Sequence, residues 1–254
     1  RFVAVKNTWS NMNMTVYPGI DVSYRPTSRW KLHASYNTSL RMPSFTEMYY
    51  KLQGYSADPH LKPEEMQALE VGGTIHYSLF TIHSTFWYHH GSNMIDWIMD
   101  TSKGEEAEWQ SVNHTTINSI GLEAGAQLSI VNYQISINYS HIHQDKQQEA
   151  NLVSQYALEY LRHKLVAKAQ WQLTKRLSLG VNLRWQDRVG AYTDFDGQVH
   201  DYEPYTLVDT KLTWTQTKWK AYVETNNLFD TSYRDYGMVT QPGRWLTAGF
   251  SISL

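Results

Sequence analysis

The histidines are the residues whose type and spacing come nearest to a chemical site in this 254-residue chain. His141 and His143 stand two apart in "SHIHQD", while His89 and His90 are adjacent in "YHHG". Residues two apart share one face of a strand, so His141 and His143 could reach one metal ion. A histidine on a water-exposed surface needs no metal ion. These two histidines therefore remain weak candidates, and no metal site is predicted. The chain has no cysteine, which excludes thiolate metal sites.

The segment "DFDGQVHD" carries Asp194, Asp196 and Asp201, whose carboxylates could bind calcium in a loop. A complete EF-hand loop needs more acidic ligands and a terminal glutamate, so we predict an Asp-Gly turn instead. The chain contains no G-x-S-x-G elbow, no P-loop and no H-E-x-x-H motif. The sequence therefore predicts neither an enzyme nor a cofactor.

Aromatic residues are unusually frequent, with 18 Tyr, 10 Trp and 7 Phe, although the mean hydropathy is polar at −0.53. Rings in loops offer rigid amphipathic contact area for a bulky small molecule or for a partner protein such as a surface lipoprotein. Packing within its own loop is the alternative role of each ring. The candidate ligand-binding residues are Tyr49, Tyr50, Tyr55, Trp97, Trp109, Tyr192, Phe195, Tyr202, Tyr233, Arg234 and Tyr236.

Three charged residues are predicted to fix the geometry of their loops rather than to bind a ligand. These are Arg41, Glu47 and Arg234, of which Arg234 could also meet an anionic group. The chain as a whole carries a net charge of −2 without any basic run, so nucleic acid is not a predicted partner. It also contains no run of about 18 apolar residues, which excludes a transmembrane helix.

Hydrophobic residues recur with a period of two, which predicts an all-β protein. In "KRLSLGVNLRWQ", for example, the apolar residues from Leu177 to Trp185 alternate with polar residues and glycine. Eleven strands are predicted, near 15–24, 29–41, 65–78, 80–98, 112–129, 131–143, 157–173, 176–187, 204–215, 218–228 and 244–254. A twelfth is open, because "RFVAVKNTW" could be the end of another strand.

The connections between these strands alternate between tight turns and long loops, which favours an antiparallel transmembrane β-barrel. Such a barrel has an apolar outward face and a polar lumenal face, and the lumenal face should hold Lys31, Lys168, Arg176 and Arg184. Tryptophans near strand ends suit the interfacial girdles of a barrel. They are Trp30, Trp171, Trp185, Trp214, Trp219 and Trp245.

The last strand is predicted to turn Leu246, Ala248, Phe250, Ile252 and Leu254 to lipid and the residues between them to the lumen. A bacterial barrel closes with an even number of strands, so eleven strands suggest that closure uses strands outside this chain. The alternative fold is a soluble β-sandwich with one core-facing side, for instance an extracellular carbohydrate-binding domain. Extraction only by detergent would support the barrel over the sandwich.

Four segments resemble TonB-dependent outer-membrane receptors. "ASYNTSLRMPSFTEMYY" followed by "DPHLKPEEMQALEVGG" is similar to their R-x-P-S-F-x-E-L-Y and N-P-x-L-K-P-E segments. "VNHTTINSIGLEAGAQL" resembles their segment that ends in G-x-E, and "ETNNLFDTSYRDYGMVTQPGRWLTAGFSISL" resembles their N-L-F-D…P-G-R segment and last strand. The matches keep the family's order over residues 29–254, and the nearest members are cobalamin and siderophore receptors.

The resemblance implies that residues 1–254 form the C-terminal part of a 22-stranded barrel in the outer membrane of a Gram-negative bacterium. The N-terminal strands and the plug that occludes the lumen would lie outside this chain, together with the segment that contacts TonB. The family's activity is energised import of a scarce bulky nutrient such as cobalamin, a ferric siderophore or haem. Implied partners are outer-membrane lipid, the receptor's own plug and remaining barrel, the TonB complex acting through the plug, and the transported small molecule. A passive porin or an adhesin is the alternative function.

Overall fold

The computed structural model describes residues 2–6, 12–146, 151–154, 160–235 and 237–253. Its long strands are β3 (Gly19–Tyr24), β4 (Trp30–Arg41), β7 (Glu64–Tyr77), β8 (Phe80–Asp100), β9 (Trp109–Ile130), β10 (Tyr133–Lys146), β12 (Tyr160–Gln172), β13 (Leu177–Val189), β16 (Tyr205–Thr215), β17 (Trp219–Asn226) and β18 (Trp245–Ile252). The short ones are β1 (Phe2–Lys6), β2 (Met12–Val16), β5 (Lys51–Leu52), β6 (Tyr55–Ser56), β11 (Leu152–Ser154), β14 (Ala191–Thr193) and β15 (Val199–Asp201). Helix α1 (Phe45–Tyr49) and a 3-10 segment (Thr101–Glu106) complete the elements.

The eleven long strands form one antiparallel sheet in which each strand pairs with its neighbours in sequence, from β3 to β18. This order confirms the eleven predicted strands and the predicted all-β class. Every tight turn lies at one end of the sheet and every long connection at the other, as in an up-and-down barrel wall. We call these the short-turn end and the long-loop end. In the described part of the chain, β3 and β18 are the outer strands and the sheet is not closed.

The two faces of the sheet differ because polar and apolar residues alternate in register across strands. Leu183 lies opposite Ala167 on one side and Val208 on the other, so the three share the outward face. Lys168 lies opposite Asn182, which lies opposite Asp209, on the lumenal face. The predicted lumenal positions of Lys31, Lys168 and Arg184 are confirmed by this register. Arg176 instead lies in the turn before β13.

The outward face is apolar and exposed, as lipid contact requires. On β18, Leu246, Phe250 and Ile252 are each more than 60% exposed and alternate with Thr247 and Ser251. A soluble domain does not leave such a continuous apolar surface in water. The faces predicted for the last strand are therefore confirmed through Ile252, whereas Leu254 lies outside the described residues.

An aromatic girdle marks one edge of the apolar band. At the short-turn end, Trp171 packs against Tyr133 with a centroid distance of 5.4 Å, and Trp219 lies 5.7 Å from Phe250. Trp30 begins β4 and Trp214 is the last residue but one of β16, both at this level. Trp245 differs from the prediction, because its register partner Asn226 belongs to the lumenal face.

Several local features differ from the sequence-based expectation. The strand predicted at 15–24 is interrupted at Tyr17–Pro18, since proline has no N–H for the ladder. The carbonyl of Pro18 still accepts a hydrogen bond of 3.1 Å from the amide of Thr38. β1 pairs with β2, so the twelfth strand left open at the N-terminus is present as a short element. No helix in the described ranges is long and apolar enough to cross a membrane.

Lumenal glycines are covered by rings from the neighbouring strand. The His33 ring lies over Gly72 and the Trp87 ring over Gly121. A Cβ added at Gly121 would meet the Trp87 indole at 2.2 Å, so only glycine fits beneath it. Gly125 is covered by His83 and Gly249 by Tyr222 in the same way. The rings therefore lie along the barrel wall.

Candidate functional site

The connection between β4 and β7 is held at the long-loop end by three charged side chains, Arg41, Glu47 and Glu64, which we call the clamp. Ser44 caps α1 by accepting from the Glu47 amide at 3.2 Å, and the Glu47 carboxylate accepts from the Ser44 amide at 2.6 Å. The Arg41 guanidinium donates to Glu47 at 2.9 Å and to Glu64 at 2.7 Å. Glu64 also accepts from the buried amide of Ile95 at 2.8 Å, so one carboxylate joins β7, β8 and the loop.

The clamp shifts the pKa values of its members. Partial burial alone would raise the pKa of Glu47, but hydrogen bonds from Arg41 and Ser44 lower it below its usual value. Hydrogen bonds to Glu64 and then to Glu47 raise the pKa of Arg41. Arg41 and Glu47 are therefore both ionised at neutral pH. The predicted structural role of Arg41 and Glu47 agrees with these contacts.

A second tie holds the far end of the same loop. The Asn113 amide group donates to the carbonyls of Lys62 at 2.9 Å and Asn93 at 2.7 Å, and its oxygen accepts from the Lys62 amide at 2.7 Å. Short strand β6 adds in parallel to the start of β9, and the Trp109 amide donates to Gly54 at 2.9 Å. The loop is thus fixed at both ends.

These ties bring three predicted residues together in what we call the first aromatic cluster, Tyr50, Tyr55 and Trp97. Their rings meet edge to face, with centroid distances of 5.6, 6.2 and 5.5 Å. Trp97 is only 5% exposed, so it supports the two tyrosines from below. Tyr49 is 45% exposed beside this cluster, with its ring 5.0 Å from Phe45.

A second aromatic cluster, Tyr192, Tyr202 and Arg234, joins the β13–β16 connection to the β17–β18 connection. The Arg234 guanidinium lies 4.9 Å from the centroid of the Tyr192 ring, a cation–π distance, and Tyr202 lies 5.6 Å from Tyr192. Arg234 also donates to the carbonyl of Met238 at 3.1 Å, which agrees with its predicted role in loop geometry. Tyr202 is 7% exposed and accepts from the Gly237 amide at 2.7 Å.

The remaining candidates are more scattered. Tyr233 packs on Tyr205 with a centroid distance of 4.6 Å, and the Tyr205 hydroxyl bonds to Asp235. Phe195 is 93% exposed at the tip of the β14–β15 hairpin. Tyr236 lies outside the described residues. The structure therefore gathers five of the ten predicted rings, together with Arg234, into two clusters on different loops.

The β14–β15 hairpin contains the acidic segment, and it forms the predicted Asp-Gly turn. Asp194 accepts from the amides of Asp196 at 3.0 Å and Gln198 at 2.8 Å, and it contacts the His200 ring at 2.7 Å. Gly197 has φ of 77°, which glycine adopts without strain. The oxygens of Asp194 are thus engaged by the turn itself.

This hairpin should respond to acid. The hydrogen bond from His200, followed by that from the Gln198 amide, lowers the pKa of Asp194. A lowered pKa means that the hairpin is stabilised above the ordinary value of 3.8 and loses that stabilisation as the pH falls through the lowered value. We expect amide protection at Asp196 and Gln198 to hold at pH 5 and to fall below about pH 3.8.

Hydrogen exchange, corrected for the intrinsic rate, measures this response. Asp194→Asn should reduce the protection already at pH 7, since it removes the charge that holds His200. Asp196→Asn is the matched control and should leave both amides protected. Equal protection in Asp194→Asn and the wild type would contradict the assigned role of Asp194.

The weak metal candidates are not assembled into a site. His141 and His143 lie on the outward face, whereas His89 and His90 point to opposite faces. His89 stacks on Trp87 in the lumen at 4.3 Å, and His90 contacts the Asn118 oxygen at 2.8 Å. Among the residues that the structure describes, no group of three or more His, Asp or Glu side chains could hold a metal ion.

Sequence reasoning missed some residues of the second cluster. The His200 ring stacks on Tyr192 at 5.3 Å, and the Arg188 guanidinium lies 5.9 Å from the Tyr202 ring. Tyr205 was also missed, although it begins β16 directly beside the loop. Only the position of these residues in the sequence could have indicated them, because each lies in or within a few residues of a predicted loop at the long-loop end.

An eleven-strand antiparallel wall with an apolar outward face, a charged lumenal face and long loops at one end defines a transmembrane β-barrel of the outer-membrane type. The TonB dependent receptor-like β-barrel family model matches residues 1–228, and the chain belongs to that family. Members of this family lie in the outer membrane of Gram-negative bacteria, with the long loops outside the cell, which places this chain there.

Individual relatives agree with the family. The chain is 24% identical over 236 residues to the vitamin B12 transporter BtuB of Photobacterium profundum, covering 89% of this chain and 34% of that protein. It is 31% identical over 155 residues to the iron-regulated outer membrane virulence protein of Vibrio cholerae, covering 56% of this chain and 22% of that protein. The chain thus spans about a third or less of these relatives.

Solved structures show the same fold. The FrpB iron transporter from Neisseria meningitidis superposes with a TM-score of 0.72 at 17% identity, over 94% of this chain and 39% of that one. The ferric enterobactin receptor from Pseudomonas aeruginosa gives a TM-score of 0.69 at 19% identity, over 95% and 40%. These relatives are named as transporters and receptors.

Proposed function

We propose that residues 1–254 form the C-terminal part of a receptor that imports a scarce bulky nutrient across the outer membrane, energised by TonB. The observation that carries the proposal is the pair of aromatic clusters at the long-loop end. The relatives named as a vitamin B12 transporter and as an iron-regulated outer membrane virulence protein support the class of nutrient. The plug, the remaining strands and the TonB contact belong to the whole receptor.

In this proposal the exposed and half-buried rings contact the ligand, and the buried ones hold them in place. Tyr49, Tyr50, Tyr55 and Trp109 form one contact surface, with Trp97 as its support. The second surface consists of Tyr192, Phe195, Tyr233 and Arg234, with Tyr202 as its support. Broad rigid rings bind large ligands at small entropic cost, and Arg234 adds attraction for an anionic group.

The ligand class is best tested by competition on the whole receptor. Cobalamin, a ferric catecholate siderophore, a ferric hydroxamate siderophore and haem would each compete for binding in detergent. One of them should bind at least about a hundredfold more tightly than the others, because pocket contacts differ for each shape. Measurable conductance of small solutes through the reconstituted receptor would instead support a passive porin.

Single-ring substitutions test which cluster binds. Tyr50→Ala and Tyr192→Ala should each weaken binding of the winning ligand by about tenfold or more, as expected for aromatic contacts at a binding surface. Tyr24→Ala is the matched control, because Tyr24 is 63% exposed on the outward face at the short-turn end. Loss of affinity in the control alone, or in none of the three variants, would overturn the proposed surface.

A further inference from the structure

Two histidines are stacked on the outward face of the barrel, where lipid would lie. His141 on β10 and His163 on β12 are register partners, and their rings are 4.5 Å apart at an interplanar angle of 22°. We call them the outer histidine pair. On the outward face they follow Leu165 of β12 and Tyr139 of β10, beyond the apolar residues of both strands.

The height of the pair can be judged from the strand itself. His163 is eight residues from Trp171, which lies in the girdle at the short-turn end. Eight residues correspond to about 26 Å along a strand and, at a tilt of about 40°, to roughly 20 Å along the membrane normal. The apolar band of such barrels is about 25 Å tall, so the pair lies near its outer boundary, beside the lipid headgroups.

Hydrogen bonds within the sheet orient both rings. The Nδ1 atom of His141 lies 3.2 Å from the carbonyl of Arg162, and a carbonyl can only accept, so this nitrogen carries the proton. The Nδ1 atom of His163 lies 2.8 Å from the Tyr139 hydroxyl. Both Nδ1 atoms are thus engaged by the sheet. The two Nε2 atoms are the nitrogens that can meet a group outside it.

Charged side chains of both signs surround the outer histidine pair. The Arg162 guanidinium donates to Asp187 at 2.7 and 2.9 Å, beside His163. On β10 the same face carries His143 and Asp145, and on β9 it carries Leu122, Ile120 and Asn118. β13 contributes Trp185, whose ring lies 5.9 Å from His163, and β12 contributes Tyr160 and, toward the lumen, Lys164.

The stacking of the two imidazoles makes it unfavourable for both rings to be protonated at once. Two imidazolium rings at 4.5 Å repel one another, and the carboxylate of Asp187, opposite His163 on β13, is engaged by Arg162. An anion between the two Nε2–H groups would remove that repulsion and receive two charge-assisted hydrogen bonds. Anion binding and proton uptake are therefore coupled at this pair.

We propose that the outer histidine pair, with Arg162 beside it, binds a phosphate group of an outer-leaflet lipid, and that it does so more tightly in acid. Phosphate fits because it presents several acceptor oxygens to two parallel donors. Lipid is the source because the pair faces the bilayer at headgroup depth rather than an aqueous loop. This site is independent of the nutrient-binding surface proposed above.

The experiment uses the full-length receptor in nanodiscs of phosphatidylcholine that contain a small fraction of diphosphorylated lipid A. Lipid A retained on the receptor is measured by native mass spectrometry at pH 5.5 and pH 8, with EDTA present throughout. We expect about tenfold more retention at pH 5.5, and loss of that difference in His141→Gln/His163→Gln. The matched control is His33→Gln/His83→Gln, which removes two lumenal histidines and should retain lipid as the wild type does.

Three results would overturn the proposal. The first is retention of lipid A that does not change with pH, or that the outer double variant keeps. The second is an equal loss in the lumenal control, which would indicate a general effect on the barrel. The third is full displacement by millimolar inorganic phosphate, which would indicate a site for free phosphate. Heat-modifiable electrophoretic mobility confirms that each variant is folded.

Discussion

Ile137→Arg in the full-length receptor is expected to prevent most of the protein from assembling in the outer membrane. Ile137 is 46% exposed on the outward face of β10, between Ala126 and Ala167. It lies midway between Tyr133 in the girdle and His141 at the outer boundary, which places it near the bilayer midplane. An arginine there costs about 2–4 kcal/mol, or roughly 30- to 900-fold in the folding equilibrium.

Asn138→Arg is the matched control on the same strand. Asn138 faces the lumen between Gly125 and Val166, where a charged side chain meets water. We expect this variant to assemble at close to the wild-type level. The measurement is the amount of heat-modifiable receptor in purified outer membranes. Similar yields from Ile137→Arg and Asn138→Arg would contradict the assignment of the two faces.

Glu64→Ala should release the loop between β4 and β7. The substitution leaves the buried amide of Ile95 without its acceptor and removes one of the two carboxylates that hold Arg41. Losing a charged acceptor from a buried amide costs about 1.5–3 kcal/mol. We therefore expect exchange of the Ile95 amide to accelerate by roughly 10- to 150-fold, with weaker ligand binding at the first aromatic cluster.

The neighbouring carboxylate provides the control for this prediction. Glu65 lies on the outward face, opposite Leu40 and Ser92. Glu65→Ala should leave the exchange of Ile95 unchanged. Glu64→Gln should give an intermediate rate, because its amide oxygen can still accept from Ile95 while its charge is lost. Unchanged exchange in Glu64→Ala would show that the clamp does not stabilise the loop.

Much of the fold could be predicted because the residues of a barrel strand face lipid and lumen alternately, so apolar and polar residues alternate in its sequence. The strands around Leu183 and Phe250 were found in this way, with the correct faces. Strand ends were less predictable: β8 and β9 extend to Asp100 and Trp109, since their pairing continues beyond the apolar band. The capping box of α1, Ser44 and Glu47, was readable but lies in a helix of only five residues.

The site was harder to predict because its contacts are non-local. Sequence identified Tyr192 and Arg234 as candidates but could not show that they meet across two loops. The parallel pairing of β6 with β9 follows no periodicity, and neither does the addition of β11 to β8. The burial of Trp97 and Tyr202 likewise depends on how the loops fold back. Composition therefore predicts the kind of surface, whereas the loop fold decides which rings are exposed.

The rings that cover lumenal glycines tie pairs of positions together. Where the Trp87 indole lies flat on Gly121, any larger side chain at 121 would tip the indole toward the barrel axis. The same dependence joins His33 to Gly72. Each ring and its glycine must therefore change together. A larger residue at the glycine leaves the barrel lumen open only if the residue on the neighbouring strand that covers it becomes smaller.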